Sequence, residues 1–204
     1  NGGDLILFNQ NDDIIQLISA DPYLKVNIGQ EIISTNLIGD YNFQNIAAAF
    51  SMAHYFGISH DLIAKALANF TPEENRSQFV ETDNNRIILD AYNANPSSME
   101  LAIQNFINIK AEKRSVILGD MLELGESTQE EHLATINQLI DHHFENVLLV
   151  GKGFYEHRHV ADNFHFLKDY NDFQRYLRDK PLDDQLILIK GSRGIALERC
   201  LDLL

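Results

Sequence analysis

The chain has 204 residues, 45% of them apolar and 23% charged, with 30 acidic against 16 basic side chains and a formal charge of −14. A surface this acidic repels phosphate backbones, which argues against general nucleic-acid binding, and no apolar run reaches the ~18–20 residues needed to insert across a membrane. A lone cysteine, Cys200, cannot close an internal disulfide, and Asn1-Gly2-Gly3-Asp4 lacks the pattern of a signal peptide, so a cytoplasmic protein is expected.

Two blocks follow one another, with a seam near Phe70-Thr71-Pro72-Glu73-Glu74-Asn75, where proline and polar residues interrupt the periodic pattern. The first block opens on a β-like run, Leu5-Ile6-Leu7-Phe8, and has another at Glu31–Thr35. Ile46, Ala49, Phe50 and Ala53 then recur at helical spacing and predict an apolar face ending near Gly57. A second helix is expected over 61–69, with Leu62, Ile63, Ala66 and Leu67. So few strands suggest the end of a larger domain.

In the second block strands and helices alternate. Strands are expected at Arg86–Asp90, Ser115–Leu118, Asn146–Val150, Phe164–Leu167 and Leu186–Ile189. Between them, Ser97 with Glu100 predicts a capping box ahead of Met99, Ala102, Ile103 and Phe106. Ser127 with Glu130 predicts another ahead of Leu133, Ile136 and Ile140. Further helices are expected at Asp169–Arg178 and Ala196–Leu203. The alternation predicts an α/β fold of Rossmann-like type, a mainly parallel sheet with helices on both faces. Ligands of such sheets bind at the carboxyl ends of the strands.

The segments that follow those strands are rich in glycine and polar groups. Asp90-Ala91-Tyr92-Asn93-Ala94-Asn95-Pro96 ends a strand in a carboxylate and places two amides before a helix. Gly119-Asp120-Met121-Leu122-Glu123-Leu124-Gly125 brackets two carboxylates with glycines, the pattern of a mobile substrate loop or of a well-solvated turn. Lys190-Gly191-Ser192-Arg193-Gly194 offers two cations and a hydroxyl to a carboxylate or phosphate. Gly151-Lys152-Gly153 reads as a simple turn. In the first block Asn42 and Asn45 sit three apart at a helix start, placed for an adenine edge or for capping. Arg76, at the seam, is a guanidinium suited to phosphate oxygens. His142-His143 and His157-Arg158-His159 lack companions at metal-ligand spacing, so no metal site is expected in this chain. Cys200 reads as core.

Taken in order, Gly39–Asn45 with Ala47-Ala48-Ala49, Asn75-Arg76-Ser77, Asp90–Met99, Gly119–Gly125 and Lys190–Gly194 with Glu198 resemble the Mur ligase family. Tyr-Asn-Ala-Asn-Pro and Gly-Asp-Met-Leu-Glu-Leu-Gly look like the member that joins D-Ala-D-Ala to UDP-N-acetylmuramoyl-tripeptide, and the Asp-Asn-Pro-Arg of the diamino-acid-adding sibling is missing. The resemblance implies an ATP-dependent, ADP-forming ligase using Mg2+ and an acyl-phosphate intermediate. Residues 1–73 would be the tail of its central ATP-binding domain, and 74–204 its carboxy-terminal domain. It puts Asn42 and Asn45 at the adenine, Arg76 at the phosphates and Asp90 at the ribose. Tyr92, Asn93, Asn95, Ser192 and Arg193 would meet the substrate, and Asp120, Glu123 and Lys190 would act in catalysis. The 204 residues hold no G-x-x-x-x-G-K-[ST] phosphate loop. The resemblance therefore implies a truncation at Asn1, metal ligands upstream of it, and no activity for the chain alone. Two other readings remain: a sibling ligase for another amino acid, and a Rossmann-like module that binds a nucleotide or peptide without catalysis.

Overall fold

The structure, a computed structural model, describes residues 14–73 and 75–204. The strand expected at Leu5–Phe8 lies outside them. The chain divides into two compact units between Pro72 and Glu73.

The first unit is a three-stranded antiparallel meander backed by two helices. Strands β1 (Ile15–Ala20), β2 (Tyr23–Ile28) and β3 (Glu31–Ile38) lie in that order. Only β3 was signalled by the sequence, because the polar Gln16, Ser19, Lys25 and Asn27 dilute the apolar signal of the other two. Alternation turns Leu24, Val26, Ile28 and Ile33 inward. Helix α1 (Asn42–Tyr55) meets them with Phe43, Ile46, Ala47 and Phe50, and α2 (His60–Asn69) with Ile63 and Ala64. The α1 stripe is thus rotated from the predicted one: Ala49 is exposed, and Phe43 takes the buried position one turn before Ile46 and Ala47. On α2 the expected Leu62 and Ala66 face outward, while Leu67 is only partly covered.

The second unit carries a six-stranded sheet. Its strands are β4 (Gln78–Glu81), β5 (Asn85–Asp90), β6 (Arg114–Gly119), β7 (Asn146–Val150), β8 (His165–Leu167) and β9 (Gln185–Lys190). They lie in the order β4-β5-β9-β6-β7-β8, all parallel except the antiparallel edge strand β4. One face presents Ile87, Leu89, Ile117, Leu148, Ile187 and Ile189 to Phe173 and Leu177 of α6 (Tyr170–Asp179) and to Leu197 and Cys200 of a closing 3-10 helix (Leu197–Leu203). The alternate residues, among them Val116, Leu118, Leu149 and Leu188, are equally buried. They serve the other face, where α3 (Pro96–Asn108) packs beside α4 (Thr128–Ile140) and across β9.

Four local expectations need correction. The cap of α3 is Asn95, not Ser97: its side chain accepts from the Ser98 N–H while the Ser98 hydroxyl accepts from the Asn95 N–H. Pro96 has no N–H to offer and a backbone preset for a first helical turn, so the helix starts there. Ser127 makes no side-chain cap to α4, because the chain enters through a 3-10 turn (Gly125–Ser127) that already uses the Thr128 N–H. The buried stripe of α4 is His132, Thr135, Ile136 and Leu139, whereas Leu133 is half-buried and Ile140 exposed. Gly151-Lys152-Gly153 is more than a turn, since it opens the short helix α5 (Lys152–Tyr155).

Candidate functional site

Parallel strands deliver their carboxyl ends to one edge of the sheet, and there β5 and β9 run in register, Asp90 beside Lys190. The Lys190 ammonium meets Asp90 Oδ2 at 2.5 Å and the Asn93 carbonyl oxygen at 3.3 Å, and its side chain is 2% exposed. Two of its three hydrogens are used in these contacts. Asp90 Oδ1 accepts from the N–H of Ser77 at 3.2 Å and its hydroxyl at 3.5 Å. A charge pair this deep is held by geometry rather than by bulk attraction, because desolvation opposes most of the Coulombic gain.

Two residues after Asp90 comes Tyr92. The guanidinium carbon of Arg76 lies 3.7 Å from the ring centroid, and that of Arg193 lies 5.6 Å from the same centroid. Both arginines are exposed, and among the described residues neither has a carboxylate partner. The ring face draws both cations in, so two unpaired positive charges gather at the strand-end edge of a strongly acidic chain.

The loop after β9 is tied to its neighbours by Ser192, which is buried. Its hydroxyl accepts from the Leu122 N–H at 2.9 Å and donates to the Ala94 carbonyl at 3.4 Å. Its N–H donates to the Asp120 carbonyl. The loops after β5, β6 and β9 are therefore fastened at one point. Gly191 makes this possible, since a Cβ there would sit 2.9 Å from the Gly119 Cα.

Asp120 is turned inward. Its Oδ2 accepts from the Gly153 N–H at 2.8 Å and its Oδ1 from the Phe154 N–H at 3.0 Å. Burial pushes its carboxyl up, but His132 and these two N–H groups outweigh that and hold it below the ordinary carboxylate range. With both oxygens engaged by the backbone of α5, Asp120 does not present itself to an incoming amine as the sequence reading expected. Glu123 does face solvent, at a positive φ of 69°.

The remaining expected residues have mixed placements. Asn93 Oδ1 accepts from the Ala94 N–H, and Asn95 Oδ1 is taken by its helix cap, which leaves the Asn95 amide nitrogen for a ligand. Asn42 and Asn45 belong to the first unit. The Asn42 amide donates to the Ile38 carbonyl and accepts from Asn45 Nδ2, so Asn42 is built into its turn while Asn45 stays exposed. Among the described residues no three His, Cys, Asp or Glu side chains converge as a metal site. Sequence reasoning passed over Ser77, which fixes Asp90, and His132, which is fully buried beside Asp120. The quoted Asn-Arg-Ser motif contained the first. A histidine in the buried register of α4 was the available signal for the second.

Residues 75–193 match the family model described as Mur ligase, glutamate ligase domain. The UDP-N-acetylmuramoyl-tripeptide–D-alanyl-D-alanine ligase of Bacillus subtilis is 32% identical over 171 residues, covering 79% of this chain and 37% of that protein. MurF from Acinetobacter baumannii superimposes with a TM-score of 0.77 at 25% identity, over 92% of this chain and 43% of its own. MurF from Thermotoga maritima, solved in complex with ADP, shares the fold with a TM-score of 0.74 at 20% identity, over 95% and 46%. The chain spans little more than a third of the length of the curated relatives it matches.

Proposed function

The chain belongs to the Mur ligase family, and from that premise we propose that it is the carboxy-terminal part of an ATP-dependent ligase joining D-Ala-D-Ala to UDP-N-acetylmuramoyl-tripeptide during peptidoglycan precursor synthesis. Residues 74–204 are its carboxy-terminal domain, and 1–73 the last part of its central ATP-binding domain. The observation that carries this reading is the pair of exposed guanidiniums over Tyr92, without a carboxylate partner among the described residues, at the strand-end edge that also holds the Lys190–Asp90 pair.

In the whole ligase the terminal carboxylate of the tripeptide attacks the γ-phosphorus of ATP, giving an acyl phosphate and ADP. The amine of D-Ala-D-Ala attacks the acyl carbon, loses its proton, and inorganic phosphate departs as the amide forms. Such chemistry is mostly positioning and charge neutralisation. Arg76 and Arg193 neutralise phosphate or carboxylate oxygens, and Asp90 retains lone-pair capacity for a ribose hydroxyl. Tyr92, Asn93, Asn95 and Ser192 shape the walls, and Lys190 holds Asp90 and Asn93 in place. Glu123, being exposed, is better placed than Asp120 to receive the ammonium of the dipeptide. Asn45 contributes at the adenine, with Asn42 holding it. The reading implies Mg2+, which would neutralise charge on the transferring phosphoryl group; among the described residues no three His, Cys, Asp or Glu side chains converge to hold it.

The test is ADP release by the whole enzyme in the presence of both substrates. We expect release to require D-Ala-D-Ala, and Arg193→Ala to lower kcat/KM by roughly a hundredfold, the effect of removing a charge-assisted contact. ADP release that ignores D-Ala-D-Ala would overturn the assignment, and an unaffected R193A would overturn the role of the guanidinium pair.

A further inference from the structure

The segment Met121-Leu122-Glu123 leaves the sheet through two consecutive anchors. The Met121 N–H donates to His132 Nε2 at 3.1 Å, and the Leu122 N–H donates to the Ser192 hydroxyl at 2.9 Å. The next residue, Glu123, is held at φ 69°, a conformation that a side chain with a Cβ adopts only under constraint. Two successive amides clamped to side chains from separate elements supply that constraint.

His132 is built for this task. Its ring is fully buried, edge-on to Phe154 with centroids 4.5 Å apart, and a Cβ on Gly153 would meet its Nε2 at 2.8 Å. Nδ1 lies 2.6 Å from the Thr128 carbonyl one helical turn earlier, and a carbonyl can only accept. Nδ1 therefore carries hydrogen, and Nε2 faces both the Met121 N–H and Asp120 Oδ1: in the neutral ring its lone pair accepts from Met121, and in the imidazolium it donates to Asp120. Asp120 Oδ1 stands 3.3 Å from the same nitrogen and keeps its bonds to Gly153 and Phe154. A histidine that merely filled the core would bond within its own helix. This one reaches out of α4 to the root of another loop.

We propose that His132 is a positioning residue of the ligase: by fixing the Met121 amide, it aims Glu123 at the incoming dipeptide without touching substrate. The inference rests on the functional reading given above. It is tested in the whole enzyme with two variants, His132→Phe, which keeps a ring but removes the acceptor, and His132→Gln, whose Oε1 takes the place of Nε2. H132F raises KM for D-Ala-D-Ala by about tenfold, the factor associated with one lost hydrogen bond, and leaves KM for ATP within about twofold. H132Q returns to within about threefold of the unaltered enzyme on the same scale. Unaltered kinetics in H132F, or an equal loss towards every substrate with no rescue by H132Q, overturns the proposal. If H132F does not fold, amide exchange in the unaltered enzyme decides. A Met121 amide exchanging much more slowly than that of Glu123 supports the proposal, and equal rates overturn it. An unaltered enzyme that shows no D-Ala-D-Ala-dependent ADP release sinks the functional reading instead, which keeps the two failures apart.

Discussion

Two aspartates close neighbouring parts of the same sheet edge, and the structure treats them differently. Asp90, at the end of β5, is met by a cation, the buried Lys190 ammonium, and two residues later Tyr92 gathers two exposed guanidiniums. Asp120, just past β6, is met by backbone N–H groups and a buried histidine, with its oxygens directed into the α5 turn. The first arrangement builds a positive platform open to solvent, and the second builds a hinge-free root for a loop. Identical side chains at equivalent strand ends thus do opposite work, and the difference comes from what the adjacent element offers: a lysine on β9 or a helix start after β7.

Removing Lys190 tests the contrast most severely. Lys190→Met leaves the Asp90 carboxylate without its cation, and we expect a loss of about 4 kcal/mol in urea unfolding. A loss under about 1 kcal/mol would mean that Ser77 alone satisfies Asp90. Gly151 guards the other aspartate. It has φ 130°, and a Cβ there would lie 2.2 Å from the Asp120 carboxyl carbon. Gly151→Ala should cost about 3 kcal/mol, measured the same way, by combining backbone strain with the displaced carboxylate.

The pH dependence of Asp120 carries a definite sign. Its folded-state pKa lies below its ordinary value of 3.8. Its contribution is therefore complete above that value and is lost as the pH falls through the folded-state pKa. Asp120→Asn should destabilise the chain by about 2 kcal/mol near neutrality, and the gap to the unaltered chain should close as the pH drops below 3.8. A gap that stays constant into acid would show that the carboxylate charge is not what Gly153 and Phe154 need. Asn95 gives the smallest effect. Asn95→Ala removes the α3 cap and should cost about 1 kcal/mol, visible as a small drop in Tm.

The alternation of strands and helices across 86–203 was readable because parallel strands buried on both faces give unbroken apolar runs such as Leu186-Ile187-Leu188-Ile189. The meander of the first unit was half hidden, since β1 mixes Gln16 and Ser19 among its apolar residues. Apolar spacing identified α1 and α4 but misplaced their faces by one residue, because several adjacent positions are apolar and only the partner surface selects among them. Arg76, Tyr92 and Arg193 were named separately as site residues, and folding brings them around one ring.

In the second unit the sequence by itself determined the alternation of parallel strands and helices and the edge at which chemistry gathers, since strand direction sends Asp90, Gly119, Val150 and Lys190 to the same side. Only the tertiary structure decided which polar groups on that edge remain available. Whether a carboxylate is open or consumed depends on donors far away in the chain: Lys190 lies 100 residues after Asp90, and Phe154 lies 34 after Asp120. Hydrogen bonds act over about 3 Å of space whatever the separation in sequence, so no local pattern could report them.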